Sequence, residues 1–445
     1  MTRPIGIDLF AGAGGMSLGF EQAGFDIAAA VEIDPVHCAT HHFNFPECVV
    51  IPKSVTDVTG HEVREKAGLE DQQIDVVFGG APCQGFSMIG QRALDDPRNS
   101  LVRDFVRLVH ELDARYFVFE NVKGLTVGKH RRFLEEVIAA FENGGQYQVL
   151  LKERVLNAAN YGVPQNRHRL FLIGARKDCD LPEYPAEITH PAGTSNCGSA
   201  EGPTCEDALG DLPDAERFDE LWKTDQVATN AWGEPSTYAA ELRCQTNEAW
   251  HFGHPRDWNP SIMTSSLLTA HTEISRRRFN ATAGGSVEPI SRFFKLAPDG
   301  VSNTLRAGTD SARGAFTSPR PIHYKYARCV TVREMARLHG YPDWFRFHET
   351  KWHGARQIGN SVPPPLARAV ANEVVRALGI KPTRPTISQK LGDEGLLRMD
   401  LSEASRHWQI ENPIGKRNRK NGTKKRKQQE IEASDAFDRR FEFND

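Results

Sequence analysis

Four short motifs set reactive side chains at the ends of apolar runs, two of them beside glycine or proline. The first is DLFAGAGGMSLGF, Asp8 to Phe20, an apolar strand that runs into a glycine-rich turn and opens a helix. Gly12, Gly14 and Gly15 permit tight turning and close approach of a ligand. Glu32 lies 20 residues after Gly12, the spacing at which a carboxylate grips a ribose hydroxyl in nucleotide-binding α/β folds. The dinucleotide pattern G-x-G-x-x-G fails at Ser17, which weakens a pyrophosphate reading and leaves an adenosine-containing ligand. The second motif, GGAPCQGFS, holds Cys83 between Pro82 and Gly85. A thiol at the mouth of a site is a candidate nucleophile. The alternative is a buried, inert cysteine, the reading that suits Cys38, Cys48, Cys179 and Cys329. The third, FENV, closes an apolar run with Glu120. That carboxylate is either an acid with a raised pKa or a helix-cap or surface residue. In the fourth, QNRHRLF, Arg167 and Arg169 alternate at the start of a strand and point the same way. Two neighbouring guanidinium groups want carboxylate or phosphate partners, whether a substrate's or the protein's own.

Strands must position these groups. Ile5 to Phe10, Ile27 to Ile33, Asp75 to Phe78, Tyr116 to Phe119 and Leu170 to Ile173 read as strands. Leu101–Phe105–Leu108–Leu112 and Phe133–Val137–Phe141 carry helical spacing between them. Alternating strands and helices predict a mostly parallel sheet with helices on both faces, an α/β class. After about Arg176 the pattern dissolves into a stretch rich in Pro, Gly, Asn, Thr and Trp, too long for one loop. It reads as a second, smaller, irregular β- and loop-rich domain. Helical pattern returns at Val332 to Leu338 and Pro365 to Leu378.

The 445 residues, 39% hydrophobic and 25% charged, allow two or three domains and an ordinary soluble core. No apolar run approaches the ~18 residues of a membrane span, and no secretory leader is expected. Eight scattered cysteines without a C-x-x-C pair read as reduced thiols of an intracellular protein. No metal is expected. Cys197, Cys205, Cys244, His251 and His254 match no familiar zinc spacing. The net charge of −3 hides basic stretches. Arg276 to Arg328 holds ten Lys/Arg against three acids, and Pro413 to Gln429 holds eight against none. Such stretches are a footprint of a polyanion partner or, for the tail, a solubilising appendage.

With RCVTVREMARLHGYP (Arg328 to Pro342) and QIGNSVPPPLARAVA (Gln357 to Ala371) added, the ordered set resembles the DNA cytosine-C5 methyltransferase family, of the bacterial restriction-modification type. The resemblance runs from residue 8 to 371. It implies a Rossmann-like catalytic domain at 1–179, completed by 355–380, and a target-recognition domain at 180–354, while the Pro-rich spacing, basic run and acidic end after Lys381 read as a flexible charged tail at 381–445. It implies S-adenosylmethionine as cofactor, held by Phe10, Gly12, Gly14, Glu32, Ile33, Pro82, Leu101, Asn360 and Val362. Where the family usually has an Asp for the adenine amino group, Ser54 stands here, with Asp57 three residues on as substitute or backbone in its place. Cys83 would attack cytosine C6, Glu120 would hold N3 and the amine, and Arg169, supported by Arg167, the base oxygen. Ser87 resembles a family phosphate contact, and Arg306 and Arg313, from a stretch that mixes Thr, Ser, Gly and Arg, are read from composition as contacts to double-stranded DNA. The resemblance further implies a cytoplasmic, nucleoid-associated monomer on DNA, with a cognate restriction endonuclease as functional partner. The competing readings are an RNA cytosine-C5 methyltransferase, a non-catalytic DNA-binding protein on the same fold, and a nicotinamide or flavin oxidoreductase. The long middle segment, the complete Cys83–Glu120–Arg167–Arg169 set and the missing third glycine disfavour them in turn.

Overall fold

The computed structural model describes residues 3–82, 100–126, 130–150, 154–194, 198–308 and 319–412. Its frame is a sheet of β1 (Ile5–Leu9), β2 (Asp26–Val31), β3 (Val49–Ile51), β4 (Val76–Gly79), β5 (Tyr116–Val122), β6 (Tyr147–Val149), β7 (Arg154–Asn157) and β8 (His168–Arg176). The order is β3-β2-β1-β4-β5-β8-β6, with β7 also paired to β8. The first five strands run parallel, and β8 is antiparallel to β5, β6 and β7. Strand order reverses between β1 and β4, and both strands deliver their C-terminal ends to that crevice, where open α/β sheets bind ligands.

The strands alternate between two buried faces. Val76, Phe78, Val118, Phe171 and Ile173 join one apolar cluster, and Val77, Phe117, Phe119, Leu170 and Leu172 the other. The second face is covered by α4 (Ser100–Glu111) and α5 (His130–Glu142) through Phe105, Val109 and Phe141, the last stacked on Phe117 at 3.8 Å. The first is covered by α1 (Gly15–Ala23) and the helix Pro364–Ala377. Those two helices approach closely at Gly19, where a Cβ would lie 2.4 Å from that of Ala367. Between β2 and β4 lie α2 (Pro35–Asn44) and α3 (Gly60–Lys66). β3, β6 and β7 were not expected. Each has three or four residues, too few for a visible period.

The middle region is irregular, with short helices at Cys205–Leu209, Thr237–Leu242 and Glu273–Ala281 and strands of only two residues among the described residues. It does not stand apart. Cys205, Leu209, Leu296 and Val330 to Phe347 belong to the same apolar cluster as Phe20 and Phe78. The expectation of a flexible tail from residue 381 needs correction as far as residue 412. Gln389–Lys390 pairs with Arg256–Asp257, and Leu396 and Leu397 pack on Ala39 and Phe43. Trp408 Nε1 donates to Pro35 O at 3.1 Å. Apolar residues set among the charges give this segment a surface to bury. The basic run from 413 onward lies outside the described residues.

Candidate active site

The glycine turn is built by left-handed backbone. Phe10 sits at φ 63°, Gly12 at 57° and Gly14 at 99°. An L side chain at φ > 0 is uncommon and collects at functional sites, so Phe10 marks the strand end as a place where backbone shape outweighs local comfort. Glu32 leaves β2 and folds back. Its Oε2 accepts from Gly12 N and its Oε1 from Asp34 N, both at 2.8 Å. This local bonding ends β2 at Val31, two residues short of the expected Ile33. A carboxylate offers about four acceptor positions, so capacity remains for ribose hydroxyls. Ile33 beside it is 52% exposed, an apolar seat for a planar ring. A Cβ on Gly12 would meet nothing within 4 Å, whereas one on Gly15 would strike Tyr341 Oη and Val362 O at 2.6 Å. The turn is thus open on the Gly12 side and walled by the Tyr341 and Val362 segments on the other. Asn360 is exposed, Val362 buried, and Leu101 half-buried at the start of α4. These residues fit an adenosine-bearing cofactor. Ser54 is occupied in capping the turn Val55–Asp57, accepting from Thr56 N. Asp57 is exposed, with Oδ1 3.2 Å from Thr56 Oγ1.

Below the turn lies a network that sequence reasoning missed. Ser17 Oγ is 2.6 Å from Asp8 Oδ2 and 3.0 Å from His41 Nε2. All three side chains are buried. Burial pushes Asp8 up to about 8 against the Ser17 hydrogen bond, and burial together with His42 pushes His41 down to about 3. Asp8 and His41 therefore meet through the serine as neutral groups at neutral pH. Only the Asp and Ser letters of the first motif hinted at this.

The other half of the site forms where β4, β5 and β8 end. Arg169 Nε donates to Glu120 Oε1 at 2.8 Å. Burial raises the Glu120 pKa, and the Arg169 and then the Arg167 guanidinium oppose the rise. Gly79 and Gly80 make room. A Cβ on Gly79 would lie 1.9 Å from Leu9 O, and one on Gly80 2.4 Å from Glu120 Oε2. Asn121 Nδ2 donates to Ala81 O at 2.8 Å, which fixes the backbone two residues before Cys83. Pro82 is exposed at the end of this described stretch. Cys83 and Ser87 lie outside the described residues, as does Arg313.

Arg167 faces the same side as Arg169 but is buried, and its first duty is a cross-tie. Nη1 donates to Leu305 O and Nη2 to Gly359 O, both at 2.9 Å. Its neighbour Gln165 accepts from Leu305 N and donates to His339 Nδ1. Burial and the Arg167 charge push His339 well down, so it stays neutral and presents Nε2–H to Ser361 O at 3.2 Å. The Gln165–Arg169 stretch thereby joins three segments distant in sequence around Glu120.

The basic stretch from Arg276 to Arg328 is less available than its composition suggests. Arg276 pairs with Glu216, Arg278 with Glu288, and Arg328 with Glu334, while Arg320 is buried and donates to Val330 O and Thr269 Oγ1. Arg306 is exposed. Of the residues weighed for zinc, Cys205 is buried, His251 bonds Glu241 and His254 bonds Asp26, while Cys197 lies outside the described residues. Among the described residues no helix is long and apolar enough to cross a membrane.

The β1/β4 reversal lies between a carboxylate-closed glycine turn and a half-buried Glu–Arg pair, and the fold around it is that of the Rossmann-like methyltransferases. The chain belongs to the C-5 cytosine-specific DNA methylase family, whose profile matches residues 5–376. It is 60% identical over 414 residues to the Type II methyltransferase M.XorII of Xanthomonas oryzae pv. oryzae, covering 93% of this chain and 94% of that one. Against M1.HphI of Haemophilus parahaemolyticus it is 34% identical, covering 83% and 86%. Among solved structures, a prophage-encoded E. coli protein described as a DNA modification methyltransferase aligns with TM-score 0.68 at 33% identity, over 85% of this chain and all of that one.

Proposed function

We propose that this protein transfers a methyl group from S-adenosylmethionine to C5 of a flipped cytosine within a specific duplex DNA sequence, as the protective half of a restriction-modification system. The observation that carries this reading is the Glu120–Arg169 pair, packed against Gly80 at the end of the β4 strand that leads to Cys83. The Type II names of M.XorII and M1.HphI support the self-protection role.

Glu32 would hold the cofactor ribose, Ile33 would seat the adenine, and Phe10, Gly12, Gly14, Pro82, Leu101, Asn360 and Val362 would line the remainder. Asp57 or nearby backbone would meet the adenine amino group. The cofactor supplies an electrophilic methyl group. Cytosine C5 is a poor nucleophile until a thiolate adds to C6. Cys83 would form that bond, placing electron density at C5. Glu120, kept protonated more readily by burial, would donate to N3 and accept from the amine, drawing charge away from C6. Arg169 would hold the base oxygen, and Arg167 would fix Arg169's surroundings through Leu305 and Gly359. After methylation, loss of the C5 proton would expel Cys83. A stacked base cannot reach these groups, so the nucleotide must leave the helix. Ser87, Arg306 and Arg313 would hold the flanking DNA, with sequence chosen by the 180–354 region.

Bisulfite sequencing of DNA from cells expressing the protein tests the reading, since it reports target base and context together. A duplex carrying 5-fluorocytosine should trap a covalent adduct with the wild type and none with Cys83→Ser. Turnover by the serine variant, or methylation of tRNA in place of duplex DNA, would overturn it.

A further inference from the structure

Three elements frame the proposed cofactor seat. β1 ends in the turn at Phe10 to Gly14, α1 starts at Gly15, and β2 ends just before Glu32 and Ile33, which lead into α2. The turn needs support. Phe10, Gly12 and Gly14 all take left-handed φ, and for Phe10 such backbone persists only where its surroundings over-determine it. Part of the restraint is local. Phe10 N and Ala11 N donate to Val31 O, and Gly14 N donates to Ala11 O at 3.0 Å. α1 does not cap itself. Its N-cap is Gly14, with no side chain to bond the first turn, and that turn has no acidic residue.

Restraint on α1 comes from beneath. The Ser17 hydroxyl has one proton, and at 2.6 Å it goes to Asp8 Oδ2, a bond that closes the base of the turn from α1 to β1. Ser17 Oγ then accepts from His41 Nε2 at 3.0 Å. Nδ1 is thereby the bare nitrogen of the neutral imidazole, and it is buried with no partner among the described residues. His41 belongs to α2, which opens at Pro35 under the Asp34 cap. Asp34 N donates to Glu32 Oε1, and Glu32 Oε2 accepts from Gly12 N, both at 2.8 Å. α2 also walls the turn directly. A Cβ on Gly14 would lie 2.5 Å from Phe45 Cε2 and 3.1 Å from His41 Cδ2. One hydroxyl therefore joins β1, α1 and α2, and Glu32 closes the ring from the other side.

Asp8 is 1% exposed, and Ser17 and His41 are fully buried, so none of the three faces a ligand in the crevice. What they set is spacing. A site keeps its geometry when the residues behind it lock the groups in front. We infer that Ser17, Asp8 and His41 are positioning residues for the cofactor, the Ser17 hydroxyl keeping the glycine turn and the Glu32–Ile33 seat at the separation that binds it. This rests on S-adenosylmethionine being the cofactor, and it assigns cofactor affinity to side chains buried behind the seat.

The test uses the full chain and calorimetric binding of S-adenosylhomocysteine, which transfers nothing. Ser17→Ala and His41→Leu should each weaken that binding by about tenfold or more, the scale of leaving a buried polar group unpaired. KM for S-adenosylmethionine should rise in step, while the single-turnover rate at saturating cofactor and the DNA affinity without cofactor stay near wild type. Asp8→Asn keeps an acceptor for Ser17 and His41→Gln keeps an N–H donor, so both should bind close to wild type. Ser17→Cys, close in shape with a weaker donor, carries the same expectation as Ser17→Ala and reads it should the alanine variant not fold. Thr204→Ala, which removes the cap of the distant helix Cys205–Leu209, should lower thermal stability and leave cofactor affinity alone. A wild type that binds neither S-adenosylmethionine nor S-adenosylhomocysteine would defeat the cofactor reading itself. With a binding wild type, unchanged affinity in the Ser17 and His41→Leu variants would defeat this inference alone. Equal losses in Ser17→Ala, Asp8→Asn and Thr204→Ala would do the same, since they would trace affinity to global stability.

Discussion

Gly80 lacks a side chain because Glu120 occupies the place where one would go. A Cβ there would lie 2.4 Å from Glu120 Oε2. Gly80→Ala must therefore push the carboxylate off its line to Arg169, and a misplacement of about 1 Å can cost about 100-fold in rate. We expect that loss in single-turnover methylation, with cofactor affinity by calorimetry unchanged. Wild-type turnover would show that Glu120 has another productive position. A second residue-scale expectation concerns Asp8, held up to about 8 by burial. Its folded pKa lies above the unfolded one, so the folded state binds the extra proton. That contribution is full below about pH 4 and is lost as pH rises towards 8. Asp8→Asn should flatten the stability profile over that window in urea titrations, and equal slopes in variant and wild type would refute the assignment. The sequence could mark Glu120, Arg169 and Glu32 because each sits beside a turn or in a dense motif. It could not mark His41, which joins Asp8 only through the packing of α2 on α1, nor Gly80's debt to Glu120, which depends on the pairing of β4 with β5.

At the scale of elements, the strands β1, β4, β5 and β8 were legible as unbroken apolar runs, because the central strands are buried on both faces, and the helices α4 and α5 because each buries one face with a helical period. The segment 381–412 was not. Its apolar residues, among them Leu391, Leu396, Leu397, Met399, Leu401 and Trp408, stand among Pro, Gly and charges, and the helical spacing Leu397–Leu401–Ala404–Trp408 is short. Their partner is α2, far away in sequence. Gly392 N donates to Phe43 O, Glu349 N to Leu397 O, and Trp408 Nε1 to Pro35 O. This strap fixes α2, whose first turn is capped by Asp34 right after Glu32 and Ile33, the proposed cofactor seat. Truncation after Asn412 should leave thermal stability and the KM for S-adenosylmethionine close to wild type. Truncation after Ile380 should cost roughly 4 kcal/mol or more, the scale of deleting two or three buried apolar side chains, and should raise that KM. Calorimetry and steady-state assays on both truncations check this. Similar behaviour of the two would mean that the strap is decoration.

The whole molecule is held by buried charge as well as by apolar core. Arg337 bonds Asp211 and Asp343, and Arg328 meets Glu334 through two bonds of 2.8 Å, all of these carboxylate contacts lying out of solvent. Asp211 and Arg337 are 126 residues apart, so these pairs tie the middle region to the helix Val332–Leu338 and through it to the sheet. A composition reading counts such arginines as available for phosphate, because sequence alone does not show which cations already have partners inside. Breaking one partner of a buried pair leaves an uncompensated charge and typically costs 3–5 kcal/mol. Glu334 gives the pH-dependent form of this. Burial alone would raise its pKa, but Arg328 wins and holds it down at about 2. Its folded pKa lies below the unfolded one, so its stabilisation is full above the ordinary carboxylate range and disappears as pH falls towards 2. Glu334→Gln should therefore lose roughly 3 kcal/mol at neutral pH and lose part of the acid-side slope between about pH 4.5 and 2. Chemical denaturation across that range measures both quantities together. A variant as stable as wild type at neutral pH, with the acid slope intact, would show that the Arg328–Glu334 pair does not hold the middle region to the rest.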